Sequence, residues 1–232
     1  MTAAGHTEPT FEPTFEPTFE RTSGRTPGRT PGPTTVGMPA LHVAAPPADR
    51  IDLEDAEEAA ADFFRALGVS TDAAHLRDTP GRMARAWSEM LTPRPFDLTT
   101  FPNDEQYDEL VLARDIGFRS LCEHHLLPFT GRVCLGYLPG DRILGLSKLA
   151  RIVEHFSCRL QTQERMTKQI ADWLQVQLSP RAVGVVVTAE HACMTLRGVG
   201  AVGCSTVTST LLGTLRSDPR SRQEFLALAD AG

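Results

Sequence analysis

The chain has 232 residues, 23 Lys and Arg against 29 Asp and Glu, and a formal net charge of −6. That length suits one sizeable domain or a domain with appendages, and the acidic balance speaks against general nucleic-acid binding. No window approaches the ~18–20 uninterrupted apolar residues of a membrane span, and Met1 to Thr10 lacks the apolar core of a signal peptide, so a soluble cytoplasmic protein is expected.

Residues 1–48 differ in composition from the rest. A four-residue repeat runs through Phe11-Glu12-Pro13-Thr14, Phe15-Glu16-Pro17-Thr18 and Phe19-Glu20, and Thr/Pro/Gly/Arg-rich sequence follows to Pro33. Recurrent proline blocks helix and ladder pairing, and the apolar content does not offset the entropy of ordering, so a disordered tail is expected. The folded domain is expected over 49–232, with a helical part at 49–100 and a core at 101–232. Early acids favour a helix from Ile51 to Leu67, and Gly68 follows as a stop. A second helix is predicted from Thr79 or Pro80 to Leu91, with Met83, Ala84, Trp87 and Met90/Leu91 as its apolar stripe; Pro93 and Pro95 end it.

From Glu109 the period changes. Leu110–Phe118 reads as a strand running into Cys122-Glu123-His124-His125, and Thr130–Leu138 as its partner, closed by the turn Pro139-Gly140-Asp141. Ser147 is expected to cap a helix carrying Leu149, Ile152, Val153 and Phe156. Another helix follows from about Gln163 to Leu178, stopped by Pro180. Ala182–Ala189 is a third strand that delivers His191 and Cys193, Ser205–Leu215 a fourth, and Arg222–Leu228 a short last helix. Strands in pairs around two central helices indicate an α+β fold with a four-stranded antiparallel sheet and additional N-terminal helices.

The five cysteines, Cys122, Cys134, Cys158, Cys193 and Cys204, are odd in number and widely spaced, unlike a disulfide framework, so reduced thiols are expected. Cys134, Cys158 and Cys204 have no ligand-type neighbour and read as small buried hydrophobes. Cys122 and His125 have chelate spacing, and Cys193 closes a site with them if the fold joins the two segments. Two thiolates and an imidazole suit zinc, and three protein ligands leave a position for water, the pattern of a catalytic site. A closed site with His124 or His191 as fourth ligand is the alternative. Against it, adjacent residues rarely both point at one ion, and two spare histidines equip a site for proton transfer. Glu123 either orients a neighbour or faces solvent.

Basic residues recur around this motif: Arg82 and Arg85 a turn apart, Lys148 and Arg151 a turn apart, and Arg197 after Cys193. A solvated helical face explains any one pair. Lys148 and Arg151 near a helix start are unfavourable for the dipole unless an anion binds there, and a polyphosphate would satisfy the whole set. Glu164, between Gln163 and Arg165 at a helix start, suits the dipole; in a pocket, its carboxylate can accept two N–H bonds from a guanine edge.

Five linked motifs carry a resemblance over roughly residues 51–230: Cys122–Phe129, Gly145–Arg151, Gln161–Thr167, His191–Met194 and Arg197–Val199. Together they resemble GTP cyclohydrolase I. The resemblance implies conversion of GTP and water to 7,8-dihydroneopterin triphosphate and formate, the entry to folate-type pterins. It implies one zinc per subunit on Cys122, His125 and Cys193, whose water attacks C8 of guanine. His124 would supply a proton at N7, His191 would assist ring opening and deformylation, and Ser147 the later ribose rearrangement. Gln163 stands with this catalytic set, beside Glu164, which matches the position that grips guanine. Arg82, Arg85, Lys148, Arg151 and Arg197 match triphosphate-binding positions. The resemblance further implies the tunnelling fold, with two helices on one face of the sheet, and a homodecamer with active sites between subunits. Leu160 stands where the family often has proline, so a continuous helix or an altered bend is expected there. A catalytically silent pterin- or nucleotide-binding relative, or a paralogue acting on another purine triphosphate, are the other readings; a silent relative has no need of His124, His191 and Ser147 together.

Overall fold

The computed structural model describes residues 41–43 and 51–230, all within one unit, Pro39–Gly232. The Phe-Glu-Pro-Thr repeat lies outside the described residues. The strand β1 (Leu41–Val43) falls in the segment that composition assigns to the tail; it pairs antiparallel with β2 (Phe96–Leu98), and Val43 is buried.

Asp52 caps α1 (Leu53–Ala66), its carboxylate accepting from the backbone N–H groups of Glu54 and Asp55. This cap satisfies donors that a helix start leaves open. The helix α2 (Thr79–Leu91) begins with Pro80 in its first turn, where no N–H is needed. The short strands β3 (Thr100–Pro102) and β6 (Arg142–Leu144) pair with each other; their few residues give no periodic signal in the sequence.

The main sheet is built on β4 (Val111–Cys122), β5 (Pro128–Leu138), β8 (Ala182–His191) and β9 (Thr206–Gly213), each antiparallel to its neighbour. A fifth strand, β7 (Leu160–Gln161), pairs parallel with the end of β4, giving the order β7-β4-β5-β8-β9. The protein is therefore α+β with a mixed five-stranded sheet, not the four-stranded antiparallel sheet expected. The difference arises at Leu160. The helix α3 (Leu146–Ser157) stops well before it, and Leu160 and Gln161 take up extended backbone opposite Leu121 and Cys122. No continuous helix forms there.

The cap of α3 is Gly145, in extended conformation, so Ser147 lies within the first turn rather than at the cap. Thr162 caps α4 (Gln163–Leu178) by accepting from the Arg165 N–H. The helix ends as expected, with Ser179 left-handed at φ 49° before Pro180. Both helices contribute to one core. Alternating residues of β5 (Val133, Leu135, Tyr137) and of β8 (Val183, Val185, Val187) meet Leu149, Ile152, Val153, Met166, Ile170 and Leu174 there. This is the period-2 strand face packed on the three-and-four helical stripe.

The opposite residues, Cys134, Ala182 and Val186, belong to a second cluster around Leu215 and Phe225. These come from α6 (Thr214–Ser217) and α7 (Pro219–Asp230), the latter longer at both ends than Arg222–Leu228. Gly184 permits this docking, because a Cβ there would stand 2.6 Å from the Phe225 ring. No helix among the described residues is long and apolar enough to cross a membrane.

Candidate functional site

The site forms where β4 turns into β5 and β8 ends beside them. The turn is tight: the Cys122 N–H donates to Leu127 O at 2.9 Å, the Leu126 N–H donates to Cys122 O at 2.8 Å, and Leu126 has φ 55°. Its backbone therefore fixes where residues 123–127 point. The β5–β8 register sets Phe129 opposite His191, and α5 (Ala192–Thr195), a single turn with no periodic signal, follows at once and lifts Cys193 toward Cys122.

The ligand atoms of Cys122, His125 and Cys193 all lie within 4.8 Å of one another. A tetrahedron built on bonds of about 2.0–2.3 Å has edges of roughly 3.3–3.8 Å, so this soft, nitrogen-and-sulfur donor set fits zinc. His124 is distinguished by the same geometry. Its Nδ1 is 3.9 Å from Cys122 Sγ, as is that of His125, yet only His125 is also within reach of Cys193. Burial and the neighbouring Cys122 push the Cys193 thiol above its usual range. A divalent cation between them would reverse that, since it favours both thiolates.

His191 is stacked on Phe129, with ring centroids 4.6 Å apart and planes within 3°. Its Nε2 is 2.8 Å from Gln163 Oε1. Gln163 is buried, and its side-chain nitrogen donates to Val187 O and Thr206 O, both at 3.0 Å. Carbonyls only accept, so the amide nitrogen must face them and the amide oxygen must face His191. It follows that His191 Nε2 carries a hydrogen and Nδ1 is the atom free to take or give a proton. Burial holds the His191 pKa below its ordinary value, partly countered by the negative charge of Glu164. Glu164 is exposed in the first turn of α4.

Apart from Arg197, the remaining expected site residues make other contacts within the single chain or are at least partly exposed. Arg82 donates to His75 O and Thr79 Oγ1, Arg85 is exposed on α2, and Arg151 pairs with Glu154 at 3.1 Å. Ser147 is exposed and Lys148 half-buried in the first turn of α3. Among the described residues, none of Arg82, Arg85, Ser147, Lys148 and Arg151 bonds to the Cys-His-Cys cluster; Arg197 acts on it through its charge at Cys193. Sequence reasoning gave no role to Phe129 or to the Glu123–Arg165 ion pair. Both depend on strand register and on the turn into α4, which residue spacing does not reveal.

A family model for GTP cyclohydrolase I matches residues 56–230. The chain is 48% identical over 178 residues to GTP cyclohydrolase 1 of Aquifex aeolicus, covering 77% of this chain and 97% of that protein. It is 46% identical over 184 residues to GTP cyclohydrolase 1 of Rattus norvegicus, covering 78% of this chain and 76% of that one. It is 43% identical over 178 residues to GTP cyclohydrolase 1 of a Hydrogenobaculum strain, covering 77% and 98%. The match spans every element from the second turn of α1 to the end of α7 and includes the whole Cys-His-Cys cluster, and on it the chain is an enzyme of the GTP cyclohydrolase I family.

Proposed function

We propose that the chain is a zinc-dependent GTP cyclohydrolase I that converts GTP and water to 7,8-dihydroneopterin triphosphate and formate, the first step of tetrahydrofolate and pterin biosynthesis, in the cytoplasm. The observation that carries this reading is the three-ligand cluster of Cys122, His125 and Cys193, with His124 and His191 beside it and uncommitted to it. When bound, zinc supplies a Lewis acid that makes water a nucleophile near neutral pH.

The chain's own residues then move protons and hold the base. C8 of a neutral purine is a poor electrophile, so His124 protonates N7 as attack occurs and relieves the developing charge. His191, its Nε2 tied to Gln163, exchanges a proton through Nδ1 during ring opening and deformylation. Glu164 accepts from the guanine edge and selects that purine. Ser147 serves the later ribose rearrangement. Arg82, Arg85, Lys148, Arg151 and Arg197 bind the triphosphate, whose distant charge contributes orientation at the reacting centre.

The catalytic domain comprises 49–232, its helical part 49–100 and its core 101–232, together with the strand Leu41–Val43 that pairs with Phe96–Leu98; the sequence ahead of that strand is an appended tail. The basic residues reach a site by assembly, with active sites between subunits of a homodecamer. Two features support this: within one chain Arg82 and Arg151 bond to other partners than the cluster, and among the described residues β9 is an edge strand that follows a segment with exposed Leu196, Val199 and Val202 and itself carries exposed Val207. An unpaired edge with apolar neighbours favours association. Incubation of zinc-loaded protein with GTP is expected to consume GTP and give a product that becomes a fluorescent neopterin on oxidation. No consumption of GTP would refute the reading.

A further inference from the structure

Glu123 lies between a proposed metal ligand and the proposed N7 proton donor, and its environment is not that of a solvated acid. Its side chain is 30% exposed, Oε2 accepts from Arg165 Nη2 at 2.5 Å, and Oε1 is 3.9 Å from His124 Nε2. Its backbone N–H donates to Gln161 O at 3.1 Å. Arg165 is held in turn: Nε donates to Gln161 Oε1 at 2.9 Å and Nη2 to Leu160 O at 2.8 Å. Gln161 is fully buried, and its side-chain nitrogen donates to Phe156 O at 2.8 Å and Gln169 Oε1 at 2.9 Å. An unbroken set of bonds thus runs from α3 and α4 through Gln161 and Arg165 to the turn that carries His124.

The pair is too exposed to contribute much to stability, since solvent screens such contacts. Its value is geometric. A guanidinium is planar and its donors point in fixed directions, so three acceptors around it define its position, and the carboxylate on it is defined as well. Arg165 follows Glu164 directly, while Glu123 precedes His124 directly. Joining the two fixes the distance between the residue proposed to read the pyrimidine edge of guanine and the one proposed to protonate its imidazole ring.

We propose that Glu123 and Arg165 are positioning residues that lock the metal-ligand turn to the start of α4, so that His124 and Glu164 meet one bound purine in register. The proposal rests on the functional reading above. A misplacement of about 1 Å can cost on the order of a hundredfold in rate without loss of binding.

The test compares the full-length zinc-loaded protein with Glu123→Gln, Arg165→Gln and their combination, with Arg165→Lys as a milder fourth variant. Steady-state turnover of GTP, metal content, thermal unfolding and hydrogen exchange of the backbone amides of residues 123–127 are measured on the same samples. Each neutral variant is expected to lose roughly tenfold or more in kcat with KM within about threefold, because an interaction realised mainly at the transition state is lost. The double variant should fall no further than the worse single one, as partners in one contact are not additive. Arg165→Lys should recover part of the loss. Metal content and Tm should be kept, and the Glu123 amide should exchange faster in both single variants.

An active parent protein with variants of equal kcat overturns the proposal, as do additive losses, or losses that follow metal release or unfolding. A parent that does not turn over GTP refutes the functional reading instead. Exchange then decides alone, and an unchanged Glu123 amide in both variants overturns the lock.

Discussion

At the scale of single residues, the division between His124 and His125 is the sharpest feature of the site. The neighbours sit equally far from Cys122 Sγ, and the reach to Cys193 is what separates them. His124→Ala is accordingly expected to keep its zinc and lose about 10²–10⁴-fold in kcat, the usual contribution of a positioned acid; Cys193→Ala should lose the metal. Metal analysis beside turnover checks both. Gln163→Leu should leave the carbonyls of Val187 and Thr206 without that donor and cost about 1–3 kcal/mol, measured by denaturant unfolding, besides releasing His191. The grouping of Cys122, His125 and Cys193 was legible in the sequence because chelate spacing and residue type suffice to suggest it. Gln163 as the partner of His191 was not, since the contact joins residues 28 positions apart and depends on how α4 crosses the sheet.

At the scale of elements, α4 and the strands β4, β5 and β8 follow from periodicity and breakers, because each buries residues in a continuous core, whereas β9 is read from its Thr- and Val-rich composition and reaches that core through partly buried Leu212. The two-residue β7 has no pattern to read, and its pairing is decided by what Cys122 and Leu121 offer on their open side. Docking of α7 likewise escaped the sequence, being set by the space that Gly136 and Gly184 leave for Phe225. Gly184→Ala is expected to overpack that seam at a cost of about 1–3 kcal/mol, read as a lowered urea midpoint with an unchanged m-value. In α3, burial and the nearby Arg159 hold His155 down to about 4 from an ordinary 6.5. The unfolded chain therefore binds the additional proton between those values. The contribution of neutral His155 is complete above about 6.5 and is lost as pH falls toward and through about 4. His155→Phe should flatten that part of the stability profile, as followed by unfolding at stepped pH.

At the scale of the whole molecule, the β1–β2 pairing bears on the tail. Removal of residues 1–40 is expected to leave kcat and Tm unchanged, whereas removal of 1–48 takes away β1 and its buried Val43 and should lower Tm. Thermal unfolding of the two truncations distinguishes them. The proposed homodecamer rests on the family resemblance, because an edge strand at β9 and exposed valines do not fix a number of copies. Hydrolysis at C8 of guanine by the proposed site around Cys122, His125 and Cys193 can be followed with GTP labelled at C8 and zinc-loaded protein. One labelled formate is expected for each GTP consumed, with its release slowed about 10²–10⁴-fold in the His124→Ala variant. Consumption of GTP without labelled formate, or labelled formate undiminished in that variant, would contradict it.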